Sequence, residues 1–220
     1  MTSIAPRLYV DSADVDRVSR LLAAGVVHGV TTNPTILERG GRTAAEIPDL
    51  YARWESEGAR EIFFQTWGGD VASFLRNAES IRALGDRVAV KVPATADGFA
   101  AASALVRDGA TVLVTAVYSI AQALACASIG AHYMAPYLGR MRDAGIDGDA
   151  VIARMQEVCA GSGSNVLAAS LRSADDITGL RLAGVPYFTA APDVIDQVLF
   201  HEVSDSSAAE FDAAMVRLGA

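Results

Sequence analysis

The stretch VAVKVPATADGFAAASALVRDG, Val88–Gly109, decides how the rest of this chain folds. Residues two apart on a strand face the same way, so Val88, Val90 and Val92 form one apolar face while Ala89 and Lys91 form the other. From Asp97 onward the apolar positions follow helical spacing, opened by an acidic residue and closed by Gly109, the residue types that cap helix ends. The same strand-then-helix unit recurs on both sides. Strand-like runs are Leu8–Asp11, Val27–Thr32, Glu61–Thr66, Val88–Val92, Thr111–Ala116, His132–Tyr137, Asn165–Ser170 and Val185–Ala190. Amphipathic segments such as DVDRVSRLLAAG, DVASFLRNAESIRALG, SIAQALACASIG and SADDITGLRLAG lie between them.

Eight alternations with short connections predict parallel strands covered by helices, in a single α/β domain over residues 1–220 that closes as a (β/α)8 TIM barrel. An open doubly wound sheet is the competitor. It normally carries a glycine-rich phosphate fingerprint after its first strand, where this chain has Asp11-Ser12-Ala13-Asp14. An extra C-terminal helix is expected at about 206–219, and residues 40–60 give no clear assignment.

Composition narrows the partners. The 220 residues carry a formal net charge of −8 and a pI near 4.8, with no basic stripe, which argues against nucleic acid and anionic membrane. Cys126 and Cys159 lack metal-ligand or redox spacing and read as small buried hydrophobes. His28, His132 and His201 are too dispersed for metal or triad work. With no long apolar run and no signal-like N-terminus, we expect a cytoplasmic protein.

In a barrel of this type, chemistry sits at the C-terminal ends of the strands. In chain order those ends carry Asp11, Thr31 with Asn33, Gln65, Lys91, Thr115, Tyr137 and Ser170. Lys91 faces inward, where desolvation favours the neutral, nucleophilic amine. It is also the only lysine, beside 17 arginines. Arginine can replace lysine on a surface but cannot add to a carbonyl as a primary amine, so the pattern predicts Schiff-base chemistry; a structural ion pair with Asp11 is the alternative. Asp11 suits hydroxyl proton transfer or a helix cap. Thr31, Asn33, Gln65 and Thr115 suit polyol hydroxyls or a held water, or are simply satisfied core groups. Arg140, Ser170 and Arg172 border one part of the rim and suit a phosphate, although a lone arginine is usually a solvated charge.

The segments DSADVDRV, GVTTNPTIL, VAVKVPAT, TAVYSIAQAL, YMAPYLGR and VLAASLRS resemble the transaldolases, above all their small fructose-6-phosphate aldolase branch, from about Leu8 to past Phe200. The resemblance implies a class I mechanism without metal or organic cofactor, with Lys91 as the Schiff-base residue. It implies that Asp11, Thr31 and Asn33 meet the donor, and that Arg140, Ser170 and Arg172 hold the acceptor's phosphate. Transaldolases proper generally place Glu, Asn and Phe where this chain has Gln65, Thr115 and Tyr137, the aldolase set. Phe64 and Trp67 depart from the pattern and leave the acceptor open. The expected function is reversible cleavage of fructose 6-phosphate to dihydroxyacetone and glyceraldehyde 3-phosphate. The alternatives are transfer of a dihydroxyacetone unit between sugar phosphates, action on a sulfonated ketose, and a catalytically silent sugar-phosphate-binding barrel. The branch forms rings, so the resemblance also implies a homo-oligomer, pentamer or decamer.

Overall fold

The computed structural model describes residues 4–219. Its centre is a closed ring of eight parallel strands in chain order. They are β1 (Arg7–Asp11), β2 (Gly29–Thr31), β3 (Glu61–Gln65), β4 (Val88–Pro93), β5 (Val112–Val117), β6 (Tyr133–Pro136), β7 (Asn165–Leu171) and β8 (Tyr187–Ala190). Pairing of β1 with both β2 and β8 closes the ring. The chain is a (β/α)8 barrel with an added C-terminal helix.

Alternation divides the core into two layers. Val10, Val30, Ile62, Phe64, Val90, Val92, Val112 and Val114 face the helices, where Trp54 stacks on Phe64 with ring centroids 6.1 Å apart. Inside the barrel lie Tyr9, Phe63, Ala89, Leu113, Tyr133, Leu167 and Tyr187. Each fully buried aliphatic or aromatic side chain contributes about 1.5–3 kcal/mol, so the face pattern fixes the register of every strand.

The helices start where short polar side chains accept from freed backbone N–H groups. Asp14 opens α1 (Val15–Ala23), Asn33 opens α2 (Pro34–Arg39), Thr95 opens α5 (Ala96–Arg107) and Ser173 opens α9 (Ala174–Leu182). The unassigned stretch 40–60 holds a single 3-10 turn and then α3 (Ile47–Ser56), entered through a Thr43–Glu46 capping box. Between them run α4 (Val71–Arg82), α6 (Ile120–Ser128), α7 (Leu138–Asp143), α8 (Gly148–Val158) and α10 (Pro192–Leu199). The last helix, α11 (Glu202–Leu218), begins four residues before the expected position, capped by His201, and buries none of its residues.

At the N-terminal end, the barrel is floored by one carboxylate. Glu61 accepts hydrogen bonds from the hydroxyls of Tyr9 and, at 2.6 Å, of Tyr133. Arg7 and His28 each approach it to 3.5 Å. Two strands are irregular at the opposite end. The β5–β6 pairing shifts between Thr115 and Val117 and the β7–β8 pairing between Ala168 and Leu171; Ala116 and Ser170, the residues inside those shifts, have φ of 60° and 57°. A non-glycine residue in this region costs on the order of 1–3 kcal/mol, and such strain concentrates at functional sites.

Candidate active site

The C-terminal mouth of the barrel opens into a cavity of about 200 Å³. Lys91 projects into it from β4, between Gln65 of β3 and Leu113 of β5 in register. It is 4% exposed. Among the described residues its ammonium makes no hydrogen bond and has no carboxylate within 4.0 Å, so the ion pair with Asp11 is not formed. Burial pulls the Lys91 pKa below its usual value, a pull that the charge on Asp11 partly opposes. The neutral amine is thereby favoured.

Asp11, at the end of β1, is no helix cap: Asp14 holds that role and Ser12 Oγ accepts from the Asp14 N–H at 3.0 Å. Its carboxylate instead accepts from Thr31 Oγ1 at 2.6 Å, and Thr31 Oγ1 lies 2.5 Å from Thr189 Oγ1. Because Thr31 has one proton and gives it to Asp11, Thr189 donates to Thr31, making a relay across β8, β2 and β1. Burial raises the Asp11 pKa, while Lys91 and the Thr31 hydrogen bond act in the opposite direction.

Tyr137 follows β6 and its hydroxyl lies 2.9 Å from Thr115 Oγ1, while the Arg140 guanidinium stands 5.2 Å from the centre of its ring. Burial raises the Tyr137 pKa, more than the Thr115 hydrogen bond lowers it, so the phenol keeps its proton through the neutral range. Asn33 caps α2 by accepting from Ile36 N–H at 2.9 Å, which leaves its carboxamide NH₂ for a ligand. The strand alternation would turn Ser170 toward the helices with Val166 and Ala168. Its positive φ places it on the cavity wall instead. Gly139 permits this, since a Cβ there would fall 2.7 Å from the Ser170 carbonyl oxygen.

The cavity therefore brings together Asp11, Thr31, Asn33, Lys91, Tyr137, Arg140 and Ser170. The remaining candidates lie outside its lining. Thr115 stands behind Tyr137. Gln65 borders a neighbouring cleft with Trp67, Gly68 and Gly69. Arg172 forks onto Asp143 at 2.9 and 2.5 Å on the surface. Sequence reading missed Thr189, although its parity with Tyr187 on β8 makes it the polar end of the eighth strand. It also missed Arg39 of α2, which lines the cavity with Thr35 and Ile36. The histidines stay apart as expected: His28 at the floor, His132 accepting from Val112 N–H at 3.3 Å, and His201 capping α11. Both cysteines are buried and free.

Comparison with known proteins agrees with this geometry. The family model described as transaldolase/fructose-6-phosphate aldolase matches residues 8–219. A probable transaldolase of Hyphomonas neptunium is 33% identical over 216 residues, covering 97% of this chain and 98% of that protein. One from Chelativorans is 31% identical with the same coverage. Among solved structures, a putative dihydrodipicolinate synthase family protein from Coccidioides immitis superposes with a TM-score of 0.65 at 15% identity, over 98% of this chain and 76% of that one. At that identity only the barrel is shared.

Proposed function

This chain belongs to the transaldolase/fructose-6-phosphate aldolase family of enzymes, and within it we propose a class I aldolase that reversibly splits fructose 6-phosphate into dihydroxyacetone and glyceraldehyde 3-phosphate. The observation that carries this reading is the buried, unpaired Lys91, the chain's one lysine, inside a cavity whose polar lining is hydroxyl, amide and guanidinium groups with the single carboxylate of Asp11, set among apolar side chains such as Leu113 and Leu167. The neutral Lys91 amine adds to the C2 carbonyl, and loss of water gives an iminium. The C4 hydroxyl then gives up its proton, the C3–C4 bond breaks, and its electron pair enters the iminium to form an enamine while the aldehyde leaves. Tyr137, with a water held near Thr115 and Gln65, carries the proton and returns one to C3. Hydrolysis of the resulting iminium frees dihydroxyacetone and restores the amine. Asp11, steadied by Thr31 and Thr189, and the Asn33 NH₂ meet the donor hydroxyls. Arg140 and Ser170 meet the terminal phosphate, whose geometry suits a guanidinium. Arg172 joins them only by leaving Asp143.

The second reading, transfer of the dihydroxyacetone unit to another aldose phosphate, is favoured by the names of the relatives. The Tyr137–Thr115 pair favours the first, because a phenol that keeps its proton can protonate the enamine before a second aldehyde arrives. Release of glyceraldehyde 3-phosphate from fructose 6-phosphate, followed with and without erythrose 4-phosphate, decides between them. Turnover without the acceptor supports the aldolase; turnover only with it makes the enzyme a transaldolase. We further propose a cytoplasmic homo-oligomer whose subunits cover the exposed Phe211, Met215, Val216 and Leu218 of α11, which a sedimentation measurement of the full chain against one ending at Phe200 would test.

A further inference from the structure

Two charged side chains are buried among the described residues, Lys91 and Asp176, the latter 7% exposed. The chemistry at the mouth accounts for the first and makes no use of the second. Asp176 stands in the first turn of α9, where a capping box with Ser173 would give a carboxylate a purely local role. The bonds do not follow that explanation. The Ser173 N–H is its most distant partner, at 3.2 Å, whereas Oδ2 accepts from the Arg172 N–H at 2.7 Å and Oδ1 from Arg142 Nη1 at 2.7 Å. Both oxygens are engaged outside the helix that carries them. Burial alone would raise the pKa of this carboxyl, but the hydrogen bonds from the Arg172 N–H and Arg142 outweigh it and hold the pKa below the ordinary value.

The two elements joined in this way carry the groups assigned to the terminal phosphate. Arg142 is two residues past Arg140 on α7, and a step of two turns about 200° around a helix, so Arg140 reaches the cavity while Arg142 reaches α9. Arg172 is two residues past Ser170, whose φ of 57° inside the β7–β8 shift persists only with outside support. One carboxylate thus grips each element two residues beyond its phosphate group. Gly139 shows how closely they meet, since a Cβ there would fall 2.7 Å from both the Ser170 carbonyl oxygen and Arg172 Nε. A second link between them, from the Arg172 guanidinium to Asp143, is exposed and screened by water.

We propose that Asp176 is a positioning residue for phosphate recognition: by holding α7 against the end of β7 it sets the spacing of Arg140 and Ser170 and so the preference for phosphorylated aldehydes. This rests on the aldolase reading, in which those two residues meet the terminal phosphate. Asp176 itself touches no substrate and acts through them.

The test isolates the phosphate from the rest of the reaction. In the direction of synthesis, dihydroxyacetone condenses with glyceraldehyde 3-phosphate or with glyceraldehyde, and the ratio of the two kcat/KM values reads phosphate recognition alone. Asp176→Asn keeps the size of the side chain but leaves one grip unmade, because an amide NH₂ cannot accept from a second donor. The ratio is expected to fall about tenfold, through KM for glyceraldehyde 3-phosphate, while kcat/KM for glyceraldehyde changes by less than about twofold. Arg142→Gln removes one grip from a partly exposed position and should lower the ratio about threefold, which supplies the reading should Asp176→Asn not fold. An unchanged ratio in the folded variant, or equal losses with the two aldehydes, overturns the proposal and makes Asp176 a structural carboxylate only. A native enzyme that condenses both aldehydes without preferring the phosphorylated one refutes the roles of Arg140 and Ser170, and the proposal with them. No condensation with either aldehyde refutes the aldolase reading beneath both.

Discussion

At the floor of the barrel Glu61 has four polar partners, Tyr9, Tyr133, Arg7 and His28, whereas at the mouth the Lys91 ammonium has no hydrogen-bond or ion-pair partner among the described residues. The two groups face the same barrel interior, separated by the packed level of Phe63 and Ala89, and both are costly to strip of water. The floor offsets that cost with hydrogen bonds and becomes a fixed plug. The mouth offsets it only through the charge of Asp11 beyond ion-pair distance, and the amine responds by shifting toward its neutral form. One end of the barrel is arranged for stability and the other for reactivity, a division seen in how the groups are partnered rather than in which residue types are present.

Breaking the mouth should leave the fold standing. Lys91→Met is expected to lower turnover by about 10⁴-fold or more, with Tm unchanged or raised, because a buried unpaired cation is replaced by an apolar chain of similar length. A substantial fall in Tm would show that the lysine is structural after all. Tyr137→Phe removes the proton carrier and leaves Thr115 without its partner, so kcat should drop by about 10²–10³-fold with little change in melting. The converse experiment breaks the floor. Glu61→Ala strands the hydroxyls of Tyr9 and Tyr133 and should cost about 2–4 kcal/mol in denaturant unfolding, while the folded fraction keeps its kcat/KM. Equal loss of stability and specific activity would dissolve the distinction between the two ends.

Finer changes sharpen it. Lys91 reacts when deprotonated, so the rate of borohydride trapping should rise with pH through the amine's lowered pKa, below its ordinary value of 10.5. The charge on Asp11 raises that pKa, so Asp11→Asn should move the acid limb of the trapping profile to lower pH. A limb that moves to higher pH would contradict the coupling. The smallest effect is expected from Arg172→Ala. Its pair with Asp143 lies on the surface, with both side chains more than half exposed and the attraction screened by water. KM for fructose 6-phosphate should stay within about twofold, against about tenfold for Arg140→Ala.

The fold was legible because its signal is periodic. Every strand position lay within the runs marked by β-branched and aromatic residues, apart from Arg7, Pro93, Val117 and Leu171 at strand ends. Inward parity correctly oriented Lys91 beside Ala89, and Asp11 beside Tyr9. The α3 region gives no clear assignment, although Thr43 and Glu46 spell out the capping box of the 3-10 turn that leads into it. The site was only partly legible. Ser170 reaches the cavity through a backbone irregularity that alternation argues against, and the Arg172–Asp143 pair joins residues 29 apart that no local pattern connects. Thr189 was available to parity and was passed over because the strand was read to its last residue, Ala190. Arg39 lay in the stretch where helix spacing was too short to read.

Enclosing the single lysine in the sheet also gives the chain a built-in reporter of opening. A lysine-specific endoprotease has one target bond, Lys91–Val92, and both residues are buried in the middle of β4. The native barrel cannot present that bond to a protease cleft without unzipping from β3 or β5. Each chain cut into two pieces would therefore record one barrel that opened, and the rate of cutting would count those events directly.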